Sequence, residues 1–90
     1  MIKKSIEIKL ANGLDARPVA ELVQLASKYD SSVHIEAKTS IVNAKSIMGM
    51  MTLNLATGET VSIIADGKDE EAAVKDMESY LEGDKTAINA

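Results

Sequence analysis

Residues 33–38 read Val33-His34-Ile35-Glu36-Ala37-Lys38. Apolar and polar side chains alternate, so a strand here puts Val33, Ile35 and Ala37 on one side and His34, Glu36 and Lys38 on the other. The pattern recurs at both ends of the chain. Ile2, Ile6, Ile8 and Leu10 share one parity against Lys3, Ser5, Glu7 and Lys9. Val61, Ile63 and Ala65 alternate with Thr60, Ser62 and Ile64. A further short strand is expected over residues 40–43. Strands with one apolar side belong to an antiparallel sheet with one covered face, and helices supply the cover.

Three helical stretches separate these strands. Ala11-Asn12-Gly13 breaks the first strand, and Pro18 suits the first turn of the helix that follows. Val19, Leu22, Val23 and Ala26 give that helix an inward stripe. Ser46 is placed to cap a short second helix over residues 47–53. The third helix starts near Asp69, where Asp69, Glu70 and Glu71 complement the positive end of its dipole. Val74, Met77 and Leu81 form its stripe, and Gly83 stands where a helix stops. Thr57-Gly58 and Asp66-Gly67 read as turns. The expected order is βαββαβα, an α+β fold with an antiparallel sheet and all helices on one side.

Ninety residues make one domain, expected over 1–84 with a loose tail at 85–90. The chain is 46% hydrophobic and 27% charged, with a net charge of −4. That balance, with Tyr29 and Tyr80 as the only aromatics, argues against nucleic-acid binding, which needs clustered cations or stacking platforms. Charges at Glu7 and Lys9 interrupt the start, so no signal-peptide core is expected. No run approaches the roughly 20 apolar residues of a membrane span. With no cysteine, disulfides and thiolate chemistry are excluded, which fits a cytoplasmic protein. The acids are segregated: residues 66–84 hold eight acids and two lysines. The last helix is therefore expected to be a solvated acidic wall.

Phosphate-loop and zinc-helix motifs are absent. The single histidine, His34, lies on the polar parity of its strand, and scattered carboxylates lack metal-ligand spacing. Two helix starts hold the chemistry. The first is Gly13-Leu14-Asp15-Ala16-Arg17-Pro18. Free N–H groups and the Arg17 guanidinium favour an anion there; the plainer reading, which spacing alone favours because acidic caps are common, is that Asp15 caps the helix and Arg17 is solvated. The second is Asn43-Ala44-Lys45-Ser46-Ile47-Met48-Gly49-Met50-Met51. Met50 and Leu53, three apart, suit the core, while Met48 and Met51 fall on another side. A short helix that is apolar nearly all round implies an exposed adhesive patch, and methionine adapts to varied partners. Gly49 leaves room for a close neighbour.

These two stretches resemble the two signatures of the HPr family, the small phosphocarrier proteins of the bacterial sugar phosphotransferase system. The resemblance runs over nearly the whole chain, from about Ile2 to Leu81. It implies an open-faced β-sandwich, four antiparallel strands with three helices on one face. In the family the first motif carries a phosphate-accepting histidine beside an arginine. Arg17 matches the arginine, but the histidine position is Asp15. A carboxylate has no imidazole nitrogen and adds negative charge where phosphate must approach.

The second motif is intact. By resemblance, Ser46 is the serine phosphorylated by an ATP-dependent HPr kinase/phosphorylase. Ile47, Met48 and Met51 match the partner-binding patch, with Arg17 and Lys45 as flanking cations. The implied role is that of the Crh-type HPr-like proteins, which lack the histidine and serve carbon catabolite repression. Their phosphoserine form acts with a LacI-type catabolite-control regulator. The chain is then a kinase substrate and interaction partner, not an enzyme, with no cofactor and no metal. Three alternatives remain: a phosphocarrier through an Asp15 acyl phosphate, a constitutive phosphohistidine mimic at Asp15, and an interaction module using neither site. Other phosphotransferase-system proteins are further partners the resemblance implies; direct nucleic-acid and membrane partners are not expected.

Overall fold

The computed structural model describes residues 1–10, 16–38, 40–53 and 55–83, with Ala16 by its backbone. The Ala11-Asn12-Gly13 break, Asp15 and the expected tail at 85–90 lie outside the described residues. The elements are β1 (Ile2–Glu7), α1 (Ala16–Ser27), β2 (Ser32–Glu36), β3 (Ile41–Asn43), α2 (Ile47–Met51), β4 (Thr60–Asp66) and α3 (Glu70–Leu81). The four strands form one antiparallel sheet in the order β1-β4-β2-β3. The α+β architecture expected from strand parity is the one observed.

Register explains the single core. Ala65 faces Ile2 and Val33, Ile63 faces Lys4 and Ile35, and Val61 faces Ile6. Ile6, Val33, Ile35, Val61, Ile63 and Ala65 are all buried under the helices. Lys4 sits on this same side at the sheet edge, and its ammonium reaches Glu78 of α3 at 2.8 Å. The opposite side carries Lys3, Ser5, Glu36 and Ser62, with Lys3 spanning β4 to meet Glu36 at 2.8 Å. His34 lies on that side, half-buried, opposite Ile64 and Asn43. Ile8 and Leu10 run past the end of β1 but stay in the core. The backbone N–H of Lys9 meets the Leu81 carbonyl at 2.8 Å, closing the last turn of α3.

One helix is rotated from its expected stripe, and another buries a wider one. In α1 the buried residues are Val19, Leu22, Leu25 and Ala26, and Val23 is only half-buried. Both sets obey the helical period, and the rotation that wins buries the larger leucine. In α3, Ala73 and Tyr80 join Val74, Met77 and Leu81 in the core. Gly83 follows the C-cap with φ +99°, the left-handed conformation that ends a helix.

The acidic segment is only partly a solvated wall. Glu78 pairs with Lys4, Glu70 with the N-terminal ammonium at 3.1 Å, and Asp76 accepts from the Tyr29 hydroxyl. Asp69 makes no side-chain cap to its own helix. Its carboxylate instead accepts from the Asp30 and Ser31 N–H groups, both at 2.9 Å, and from the Ser31 hydroxyl. This joins the entry of β2 to the start of α3. Gly67 makes the junction possible, because a Cβ there would lie 2.7 Å from the Ser31 Cα.

These donors, the Ser31 hydroxyl first, hold the Asp69 carboxyl down at about 2. The Gly67 N–H and the N-terminal ammonium lower Glu70 as well. A depressed carboxyl stabilises the fold above its ordinary pKa, and that contribution disappears as pH falls through the folded value. Asp69→Asn should lower the melting temperature at pH 7. It should also flatten the loss of stability between about pH 4 and pH 2. Melts across that range check this; parallel curves for the two proteins would remove Asp69 as the source.

Candidate functional site

The strand β3 delivers the chain directly to the second helix start. The Ala44 N–H meets the Val33 carbonyl at 2.8 Å and buries Ala44, fixing where the strand ends. Asn43 then turns the backbone: its side-chain oxygen accepts from the Lys45 N–H at 2.9 Å, and its carbonyl accepts from the Ser46 N–H at 3.0 Å. Ser46 has extended backbone angles and takes the N-cap position of α2. Its hydroxyl accepts from the Gly49 N–H at 3.3 Å, and its carbonyl from the Met50 N–H at 3.0 Å. Thr52 closes the helix by donating its hydroxyl to the Gly49 carbonyl at 2.7 Å.

Five residues of helix leave little to bury. Met50 points inward with 0% exposure, and Leu53 follows it into the core. Ile47, Met48 and Met51 stay on the surface, Met48 at 80% exposure. The structure thus gathers three exposed apolar side chains onto α2 directly after Ser46. Gly49 does not serve a close approach. A Cβ there would meet Ser46 Oγ and Val42 Cβ at 3.5 Å, ordinary contact distance.

Lys45 departs from the expected geometry. It is half-buried, and its ammonium donates to the Tyr29 carbonyl at 2.6 Å. It therefore ties the Ser46 segment to the residues that follow α1. The sequence pattern carried no signal of this, because the partner is a backbone oxygen sixteen positions away.

The first helix start is described from Ala16 onward, and Asp15 lies outside the described residues. Arg17 is 89% exposed on the first turn of α1, and Pro18 follows it. Glu21, half-buried one turn on, accepts from the Tyr80 hydroxyl and places its other oxygen 3.9 Å from Arg17 Nε. The sequence reading missed Glu21 and Tyr80. Only Tyr80 left a signal, seven positions from Ala73 on a stripe that already held Met77 and Leu81. A cavity of about 260 Å³ lies elsewhere, lined by Lys38, Thr52, Leu53, Leu55 and Glu59 among others. Neither Ser46 nor Arg17 lines it, so the candidate site is a surface. Among the described residues no group of three or more His, Cys, Asp or Glu side chains is placed to hold a metal, and no helix is long and apolar enough to cross a membrane.

An open-faced sheet that presents a capped serine beside an apolar helix defines a class. Residues 2–83 match the family model for the HPr component of the phosphotransferase system and its phosphorylation site, and the chain belongs to that family. It is 43% identical over 82 residues to the HPr-like protein Crh of Halalkalibacterium halodurans, covering 91% of this chain and 98% of that protein. It is 38% identical over 85 residues to the phosphocarrier protein HPr of Borreliella burgdorferi, covering 94% of this chain and 99% of the relative. The crystal structure of phosphocarrier protein HPr from Bacillus anthracis superposes with a TM-score of 0.86 at 40% identity, covering 89% of this chain and 95% of that one.

The two sides of α2 give opposite mutational outcomes. Met48→Asp should shift stability by no more than about 0.5 kcal/mol, as exposed substitutions usually do. Met50→Asp places an unpaired carboxylate in the core and should lower the melting temperature severely. Thermal melts of both variants check the assignment, and the reverse order would mean that α2 is rotated from the orientation described.

Proposed function

We propose that this HPr-family chain is a regulatory protein of the phosphotransferase and carbon catabolite repression network. It is a kinase substrate and docking partner, not an enzyme. An ATP-dependent HPr kinase/phosphorylase transfers the γ-phosphoryl group of ATP to Ser46 Oγ, releasing ADP. Ile47, Met48 and Met51 dock the kinase for that transfer and, once Ser46 is phosphorylated, a LacI-type catabolite-control regulator. Arg17 faces the same kind of partner as a solvent-exposed cation. Lys45 acts mainly by holding the Ser46 segment against the end of α1. The proposed setting is the cytoplasm, and the proposed domain spans residues 1–84.

One observation carries this reading: Ser46 stands at the N-cap of a helix that leaves three large apolar side chains in solvent. Exposed apolar clusters on small domains mark interaction surfaces. Phosphate on Ser46 adds about −1.5 to −2 charge immediately beside that cluster, which changes partner choice without unfolding the domain. The 43% identity to a Crh protein, over 91% of the chain, is consistent with a regulatory role. Asp15 in place of an imidazole argues against ordinary phosphocarriage, because a carboxylate would have to form an acyl phosphate.

Incubation with HPr kinase and ATP should add one phosphate, mapped by mass spectrometry to Ser46 and leaving the melting temperature unchanged or slightly higher. Ser46→Ala should abolish the label and cost about 0.5–2 kcal/mol through loss of the Gly49 N–H bond. Label persisting in Ser46→Ala would exclude Ser46 from the role.

Enzyme I with phosphoenolpyruvate should leave the unmodified protein unlabelled, whereas Asp15→His should become a phosphate acceptor. Stoichiometric phosphate traced to Asp15 in the unmodified chain would establish the phosphocarrier alternative instead.

A further inference from the structure

The chain has five methionines and no cysteine, so thioethers are its only sulfur atoms. An oxidant that seeks sulfur meets no competing thiol. The five are sharply divided by burial. Met50 and Met77 have no solvent exposure, whereas Met48 is 80% exposed and Met51 56%. Met1 is also exposed, but it precedes β1, at the opposite edge of the sheet from β3 and the α2 that follows it. Met48 and Met51 stand three apart on α2, neighbours on its surface, and Met48 lies two residues after the Ser46 cap. Two open thioethers are therefore built into the apolar patch itself.

We propose that Met48 and Met51 are a reversible sulfoxidation site through which hydroperoxides withdraw the apolar α2 surface from partners. The sulfur lone pair attacks one oxygen of hydrogen peroxide. The S–O bond forms, the O–O bond breaks, and the other oxygen leaves as water. Sulfur is oxidised by two electrons and the peroxide is reduced. A methionine sulfoxide reductase reverses the step, with a dithiol supplying the electrons and becoming a disulfide, and the oxygen leaving as water. A sulfoxide is a strong acceptor on a side chain that was apolar, and a partner that buries it without a donor loses affinity. No net charge is added. Phosphate on Ser46 and oxygen on Met48 or Met51 thus alter different properties of one surface, its charge and its apolarity. The fold is spared, because Met50 and Met77, the thioethers of the core, are closed to the oxidant. The effect on partners rests on the reading of α2 as a docking surface; the modification site does not.

The test treats the full chain with hydrogen peroxide, removes the peroxide, and maps oxygen by mass spectrometry. Met48 and Met51, with Met1, should be oxidised before Met50 and Met77, and the melting temperature should hold. Retention on a hydrophobic-interaction column should fall, and a methionine sulfoxide reductase with dithiol should restore it. With HPr kinase and ATP, the oxidised chain should show a KM raised roughly five- to fiftyfold at unchanged kcat. Met48→Leu combined with Met51→Leu keeps apolar volume without sulfur. That protein still carries Met1, and peroxide should change neither its retention nor its KM. Oxidation of Met50 or Met77 as early as Met48 would overturn the site, as would retention that peroxide leaves unchanged. Equal KM values before and after oxidation, or a leucine variant as sensitive as the unmodified chain, would overturn the effect on partners. Labelling of the unoxidised chain decides the kinase reading beforehand, whereas the oxygen map and the column need no partner.

Discussion

Ile63 and Ile35 face each other across β4 and β2, both essentially without solvent contact. Keeping that one side of the sheet dry is the constraint on which the remaining structure depends. A strand's side chains alternate, so a dry side commits every second residue of three strands at once. It commits the helices too, because each must turn its apolar stripe to the same layer. The other side is then free to be polar, and Lys3 and Glu36 span it. Large apolar side chains are accordingly left in solvent where the cover is thinnest. That place is α2, too short to bury more than Met50 of its own residues.

The thin cover is anchored at its margins by polar contacts around the connection from α1 to β2. Lys45 reaches the Tyr29 carbonyl, the Tyr29 hydroxyl reaches Asp76, and Asp69 binds the Asp30 and Ser31 backbone. These contacts join α2, α1 and α3 at one corner of the molecule. A helix with a single core residue has little intrinsic stability, since isolated short helices are marginal. Its position is therefore set from outside: by β3 before it, by the Lys45 tether and by Met50 and Leu53 beneath it. That arrangement lets Met48 lie in solvent while the backbone around Ser46 stays ordered.

Strand parity was legible in the chain because period two admits no ambiguity: Val33, Ile35 and Ala37 cannot share a side with His34 and Glu36. Helix rotation was less legible. Val23 and Leu25 both fit the α1 stripe, and only packing against the sheet chooses Leu25. The outward turn of Met48 and inward turn of Met50 followed from spacing, since a five-residue helix can bury only one side. Lys45, Asp69 and Glu21 were beyond sequence reasoning for a common reason. Each acts on a group distant in the chain: a carbonyl, two backbone N–H groups and a buried phenol. No local pattern encodes such partners. The acidic run from residue 66 looked like a uniform solvated face for the same reason, although several of its carboxylates hold other elements in place.

The two helix starts also differ in charge, and the difference bears on what each can accept. At α1 the cation Arg17 stands between carboxylates in the sequence, with Glu21 positioned beside it and Asp15 two residues before it. At α2 the cap is a neutral hydroxyl, and Lys45 next to it is turned toward a backbone carbonyl and away from acids. Carboxylates already present oppose the arrival of phosphate; a neutral hydroxyl next to an apolar patch does not. The two helix starts therefore differ in fixed charge before any modification: acids stand on both sides of Arg17 in the sequence, whereas the cap of α2 is an uncharged hydroxyl.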